Sequence, residues 1–150
     1  MAGTFSQIYV QVVFSVMGRE RLIAKHWREE LFRYIAGIVS GKEQKAIAVG
    51  GVEDHVHILL GLRPSMRVSD LVRDIKSNSA KWVNQKGLVA GKFRWQDGYA
   101  VFSYSRSQLD AVYHYVKNQE KHHRGKSFEE EYKALLEEFG VEYDPRWLFD

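Results

Sequence analysis

Cysteine is absent from this 150-residue chain, and proline occurs only twice. The first absence excludes a disulfide framework and any thiolate metal site, and it is compatible with a reducing compartment. The second, with the lack of a Ser/Gly-rich run, argues against a linker and a second domain. No window approaches the ~20 apolar residues of a membrane span. The opening Met1-Ala2-Gly3-Thr4-Phe5 has no charged region followed by an apolar run, so no signal peptide is expected. A strong charge bias is also missing. The 22 Lys and Arg against 19 Asp and Glu leave a formal +3, which permits a nucleic-acid partner without demanding one. What remains, 45% hydrophobic and 27% charged residues, is the composition of a soluble globular protein. A chain of this length can bury a real core as one domain.

Apolar periodicity predicts the elements. Gln7 to Val16 alternates, with Ile8, Val10, Val12, Phe14 and Val16 on one face and Gln7, Tyr9, Gln11 and Ser15 on the other, as in a half-buried strand. Trp27, Leu31, Tyr34, Ile35 and Ile38 lie at helical spacing. Lys45 to Gly50 reads as a strand, another begins at His55, and a helix begins between Ser65 and Val68 with the stripe Leu71, Val72, Ile75, Ser79, Trp82, Val83. Tyr99 to Ser105 is the fourth strand. The order strand–helix–strand–strand–helix–strand is ferredoxin-like (RRM-like), an α+β fold with an antiparallel sheet and two helices on one face. Two C-terminal helices are expected over 107–122 and 127–139. One domain, 1–150, is expected, with its core at about 5–106, a tyrosine-bearing helix at about 107–123, and a C-terminal helix and tail at 127–150.

Two segments carry chemistry. In Asp54-His55-Val56-His57-Ile58-Leu59-Leu60 the histidines are two apart on a strand and therefore project from the same face. Val56, Ile58, Leu60 and Leu62 form the opposite, apolar row that packs under the helices. Two imidazoles on the face away from those helices can bind one ion, and an oxygen donor as third ligand would shift the site towards Mn²⁺ or Mg²⁺. About sixty residues on, Tyr115-Val116-Lys117-Asn118-Gln119 places a tyrosine and a glutamine one helical turn apart, with His122 on the same line. The apolar stripe of that helix is expected to be Leu109, Val112, Tyr113 and Val116. A phenol with a pKa near ~10 is a poor nucleophile until a metal polarises its target. Gln119 offers a neutral carbonyl oxygen as the third ligand.

With Lys76-Ser77-Asn78-Ser79-Ala80-Lys81-Trp82 and Phe93-Arg94-Trp95-Gln96-Asp97-Gly98-Tyr99, these segments resemble the single-strand DNA tyrosine transposases of insertion sequences, the IS200-like members of the HUH endonuclease superfamily. The resemblance implies that His55, His57 and Gln119 hold one divalent ion, Mg²⁺ or Mn²⁺. It makes Tyr115 the nucleophile that takes a 5′-phosphate and frees a 3′-hydroxyl. It implies single-stranded DNA hairpins at element ends as substrate, a homodimer, no membrane partner, no nucleotide cofactor and a bacterial or archaeal cytoplasm. Whether Tyr115 acts in its own subunit or its partner's is left open.

Arg73, Lys76, Lys81 and Arg94 are the candidate DNA-binding cations. Trp95, Tyr99 and Tyr104 are candidate stacking platforms. Three other readings stand beside the transposase: a domesticated, palindrome-associated relative with the same site, a non-catalytic nucleic-acid-binding module of the same fold, and a nuclease that activates water with Tyr115 purely structural.

Overall fold

The structure, a computed structural model, describes residues 3–150. Met1 and Ala2, on which part of the N-terminal reading rests, lie outside the described residues. Four strands form one antiparallel sheet: β1 (Tyr9–Ser15), β2 (Lys45–Gly51), β3 (His55–Gly61) and β4 (Ala100–Tyr104), in the spatial order β2-β3-β1-β4. Helices α1 (Lys25–Gly41) and α2 (Val68–Gln85) cross over on one face, giving the ferredoxin-like arrangement that the element order predicts. The register pairs Val12 with Ile58 and Phe14 with Val56. Alternation then sends Val10, Val12, Phe14, Val56, Ile58 and Leu60 into the core under Leu31, Ile35, Leu71 and Ile75.

The second face of the sheet departs from expectation. The alternation in β1 predicts a strand solvated on one side, yet Gln11, Val13 and Ser15 are all fully buried. The cover is the C-terminal part of the chain: α3 (Leu109–Lys117), α4 (Gln119–His122) and α5 (Phe128–Glu138). Phe128, Tyr132, Leu135 and Leu136 pack on Val13, Ala100 and Phe102, while Val112 and Val116 pack on Ala48 and Leu59. The sheet is therefore sandwiched between two helical layers, and polar residues of the inner row are buried beneath the second.

The helix expected over 107–122 is broken. A 3₁₀ turn at Arg106–Gln108 leads into α3, and Asn118 (φ −100°, ψ 28°) separates α3 from α4. Asparagine is a weak helix former because its side chain competes for backbone partners. The buried line also differs from the stripe predicted for it. Tyr113 is 38% exposed, whereas Val112, Val116 and Gln119 are buried and Tyr115 is half-buried. That line follows i, i+3, i+4, i+7 spacing from Val112. Helix α5 starts at an N-cap formed by Ser127, whose Oγ accepts from Glu130 N at 3.2 Å. Among the described residues no helix is long and apolar enough to cross a membrane.

Candidate active site

Strand β3 lies between β2 and β1, so its inner row sits at the middle of the covered face. His55 and His57 occupy that row and are fully buried, with ring centroids 5.0 Å apart. Each ring is oriented from behind. His55 Nδ1 is 2.7 Å from Asp54 Oδ1, and His57 Nδ1 is 2.6 Å from Gln11 Oε1, whose amide nitrogen donates to Tyr104 Oη at 2.7 Å. Both partner oxygens are acceptors, so each Nδ1 carries the proton and each Nε2 faces forward. Gln11 therefore shares the histidine row, as one face of β1 predicts.

What the Nε2 atoms face is Glu131, brought in by α5. Its Oε1 is 3.2 Å from His55 Nε2, 3.1 Å from His57 Nε2 and 2.8 Å from His123 Nε2. Sequence reasoning missed this residue, and it left His122 and His123 unassigned. A signal was present, because Glu131 falls within the buried stripe of α5, between Phe128 and Leu135. Gln119 Oε1 reaches His55 Nε2 at 3.2 Å, and its amide nitrogen donates to the Tyr115 carbonyl at 3.0 Å. The tyrosine hydroxyl donates to Glu131 Oε2. Thus Tyr115, His55, His57 and Gln119 are brought together within a single chain, around a carboxylate.

The electrostatics follow from this burial. Desolvation opposes ionisation of Glu131, but the histidines gathered around it, His57 first and then His123 and His55, outweigh it and hold the carboxyl well below the usual range. Burial, then the negative charge of Glu131, push the Tyr115 phenol far above its ordinary value, so it stays protonated. Burial would lower His55, yet its bonds to Asp54 and Glu131 raise it to about 9. Burial lowers His57 despite Glu131.

Two donor groups that share Glu131 have the spacing for a metal ion: His55, His57 and Glu131, and His122, His123 and Glu131. The chemistry fits a divalent cation, with imidazole nitrogens, an anionic oxygen and an amide oxygen within reach. The His122 Nε2 atom is buried without a hydrogen-bond partner and lies 3.3 Å from Glu131 Oε2, an orphaned nitrogen that fits the second donor group.

The candidate DNA-binding cations lie elsewhere. Arg73 is exposed and pairs with Asp70 and Asp74, each at 3.4 Å. Lys76 Nζ donates to the carbonyls of Gln96, Asp97 and Gly98 at 2.6–3.0 Å, which engages its ammonium in holding that loop. Lys81 and Arg94 are exposed and line one concave surface with Ser77 and Lys92. Trp95 is not a stacking platform for bases. It is 5% exposed, packs edge-on against Phe14 and Phe93, and donates to Ser79 Oγ at 2.9 Å. Tyr104 is half-buried beside Gln11, and Tyr99 is 36% exposed.

Fold and site together define a class: an antiparallel α+β domain that holds a phenol against an imidazole–carboxylate group suited to a metal. The chain belongs to the IS200-like transposase family, whose model matches residues 4–119. It is similar to the ISDra2 transposase TnpA of Deinococcus radiodurans, at 21% identity over 122 residues, covering 78% of this chain and 87% of the relative. A crystal structure of a candidate transposase from Deinococcus radiodurans R1 superposes with a TM-score of 0.61 at 21% identity, covering 79% of this chain and 95% of that one. A REP-associated tyrosine transposase bound to a REP hairpin superposes at 0.54 with 13% identity, covering 77% and 70%. His122, His123 and Glu131 lie beyond the family match.

Proposed function

We propose that this chain is a metal-dependent transposase that cleaves and rejoins single-stranded DNA through a 5′-phosphotyrosine. The observation that carries the reading is convergence: the Tyr115 hydroxyl and the Nε2 atoms of His55 and His57 meet at one buried carboxylate. In this reading His55, His57 and Gln119 hold Mg²⁺ or Mn²⁺. When bound, the ion neutralises and polarises the scissile phosphate and stabilises the leaving oxygen. Tyr115 Oη attacks phosphorus, and the new O–P bond forms as the P–O3′ bond breaks. The electron pair leaves on the 3′ oxygen, which becomes a hydroxyl by taking up the proton that the phenol gives up through Glu131. The phenol proton passes to Glu131 Oε2, already its hydrogen-bond acceptor. A 3′-hydroxyl from another strand then attacks the phosphotyrosine, restoring the phenol. The ester is conserved throughout, so neither ATP nor any other nucleotide cofactor is required.

The substrate in this reading is single-stranded DNA folded into hairpins at element ends, in keeping with the hairpin held by the REP-associated neighbour. Lys81 and Arg94, with Arg73 on the same helix as Lys81, are its proposed phosphate contacts; Lys76, held by the loop carbonyls, is not among them. A homodimer of single-domain 1–150 chains in the cytoplasm is the proposed working form.

The test mixes the protein with labelled single-stranded DNA flanking its own gene and Mg²⁺ or Mn²⁺, then resolves the products on a denaturing gel. A metal-dependent covalent protein–DNA species, lost in Tyr115→Phe and in His57→Ala, is expected. Cleavage that leaves no adduct and survives Tyr115→Phe would replace this mechanism with hydrolysis by water.

A further inference from the structure

Two oxygen donors lie within reach of the histidine pair, and they differ in how much of it they reach. Gln119 Oε1 is a hydrogen-bond partner of His55 Nε2 alone, at 3.2 Å. Glu131 Oε1 contacts both rings, at 3.2 and 3.1 Å. The Nδ1 atoms of His55 and His57 are turned to Asp54 and Gln11, so both Nε2 atoms face the same anionic oxygen. Both rings and the carboxylate are buried at the spacing of metal ligands, so one divalent ion among them would take both Nε2 atoms and the carboxylate oxygen together. Asp54 and Gln11 then act as the outer partners that fix ring orientation at metal sites.

We propose that Glu131 is a further ligand of the ion held by His55 and His57, adding an anionic oxygen to the neutral one of Gln119. The inference rests on the metal-dependent reading above. His123 is a positioning residue: its Nδ1 donates to the Lys126 carbonyl at 2.5 Å, and its Nε2 reaches Glu131 Oε1 at 2.8 Å. It keeps the carboxylate turned towards the pair. The ligand comes from α5, beyond residues 4–119, which the family model matches. Two imidazoles with a carboxylate favour Mn²⁺ over Mg²⁺.

The test is a titration of chelator-stripped, full-length protein with Mn²⁺ alone, with free ion read by electron paramagnetic resonance. Wild type should bind Mn²⁺ and His57→Ala should lose it. Both Glu131→Gln and Glu131→Ala should weaken binding by about ten- to a hundredfold, and His123→Ala by about tenfold. Circular dichroism of each metal-free variant establishes that it is folded, and Glu131→Gln keeps the side chain's shape if Glu131→Ala does not fold. Wild-type affinity in folded Glu131→Gln, with binding lost in His57→Ala, would overturn the inference and leave the metal-dependent transposase standing on Gln119. A wild-type protein that binds no divalent ion would overturn both.

Discussion

Substituting Gly50 should damage the tyrosine's position more than the fold. Gly50 lies on β2 directly under α3, and a Cβ there would fall inside contact distance of the Val116 carbonyl oxygen, 2.9 Å from its carbon and 3.3 Å from Val116 Cγ1. Two of these three atoms are backbone, so no side-chain rotation relieves the clash. Helix and strand must part by on the order of an ångström, and overpacking of this kind costs about 1–3 kcal/mol. Val116 is adjacent to Tyr115, so the same shift moves the phenol away from Glu131. A misplacement of about 1 Å can cost roughly a hundredfold in rate. Urea unfolding should show a Gly50→Ala midpoint lowered with an unchanged slope, and the adduct gel should show the larger loss in adduct formation. Gly37 is the control. It lies within α1, and a methyl group added there would meet nothing within 4 Å, so Gly37→Ala should stabilise by about 0.5–1 kcal/mol and leave adduct yield alone. A Gly50→Ala protein as stable and as active as wild type would refute the claim that α3 is seated on β2 at this point.

Other predictions concern the supports of the site. Ser79→Ala removes the acceptor of the buried Trp95 indole and should cost about 1–3 kcal/mol by urea unfolding; adding Trp95→Phe should recover part of that loss, because the orphaned donor is gone. Arg28 is 8% exposed, donates to the Ile23 carbonyl at 2.9 Å and to Glu120 Oε1 at 3.1 Å. Arg28→Met should therefore cost about 1–3 kcal/mol through the unsatisfied carbonyl and loosen α4 from α1, visible as faster amide exchange in α4. Mn²⁺ at a hundredfold over its Kd should stabilise the protein by about 2.7 kcal/mol. For a chain of this size that raises Tm by about 5–11 °C, reversed by chelator and absent in His57→Ala.

How far the sequence discloses such a site depends on whether the signal belongs to one element or to the meeting of several. The side-chain period of two in β3 is enough to place His55 and His57 together, because a strand's geometry alone decides which residues share a face. The spacing of Tyr115 and Gln119 works in the same way on a helix. It does not reveal the break at Asn118, across which the Gln119 amide still donates to the Tyr115 carbonyl. Glu131 is harder to read. Its place in the stripe with Phe128 and Leu135 marks a carboxylate due for burial, but not what it is buried against, since that requires knowing that α5 covers the second face of the sheet. The same gap explains Trp95 and Lys76. An indole and an ammonium near basic residues read as nucleic-acid contacts from composition, whereas a serine hydroxyl and three loop carbonyls claim them in the fold. Periodicity reports the face a residue occupies. The partner across that face is a tertiary fact, and at this site the partner is the chemistry.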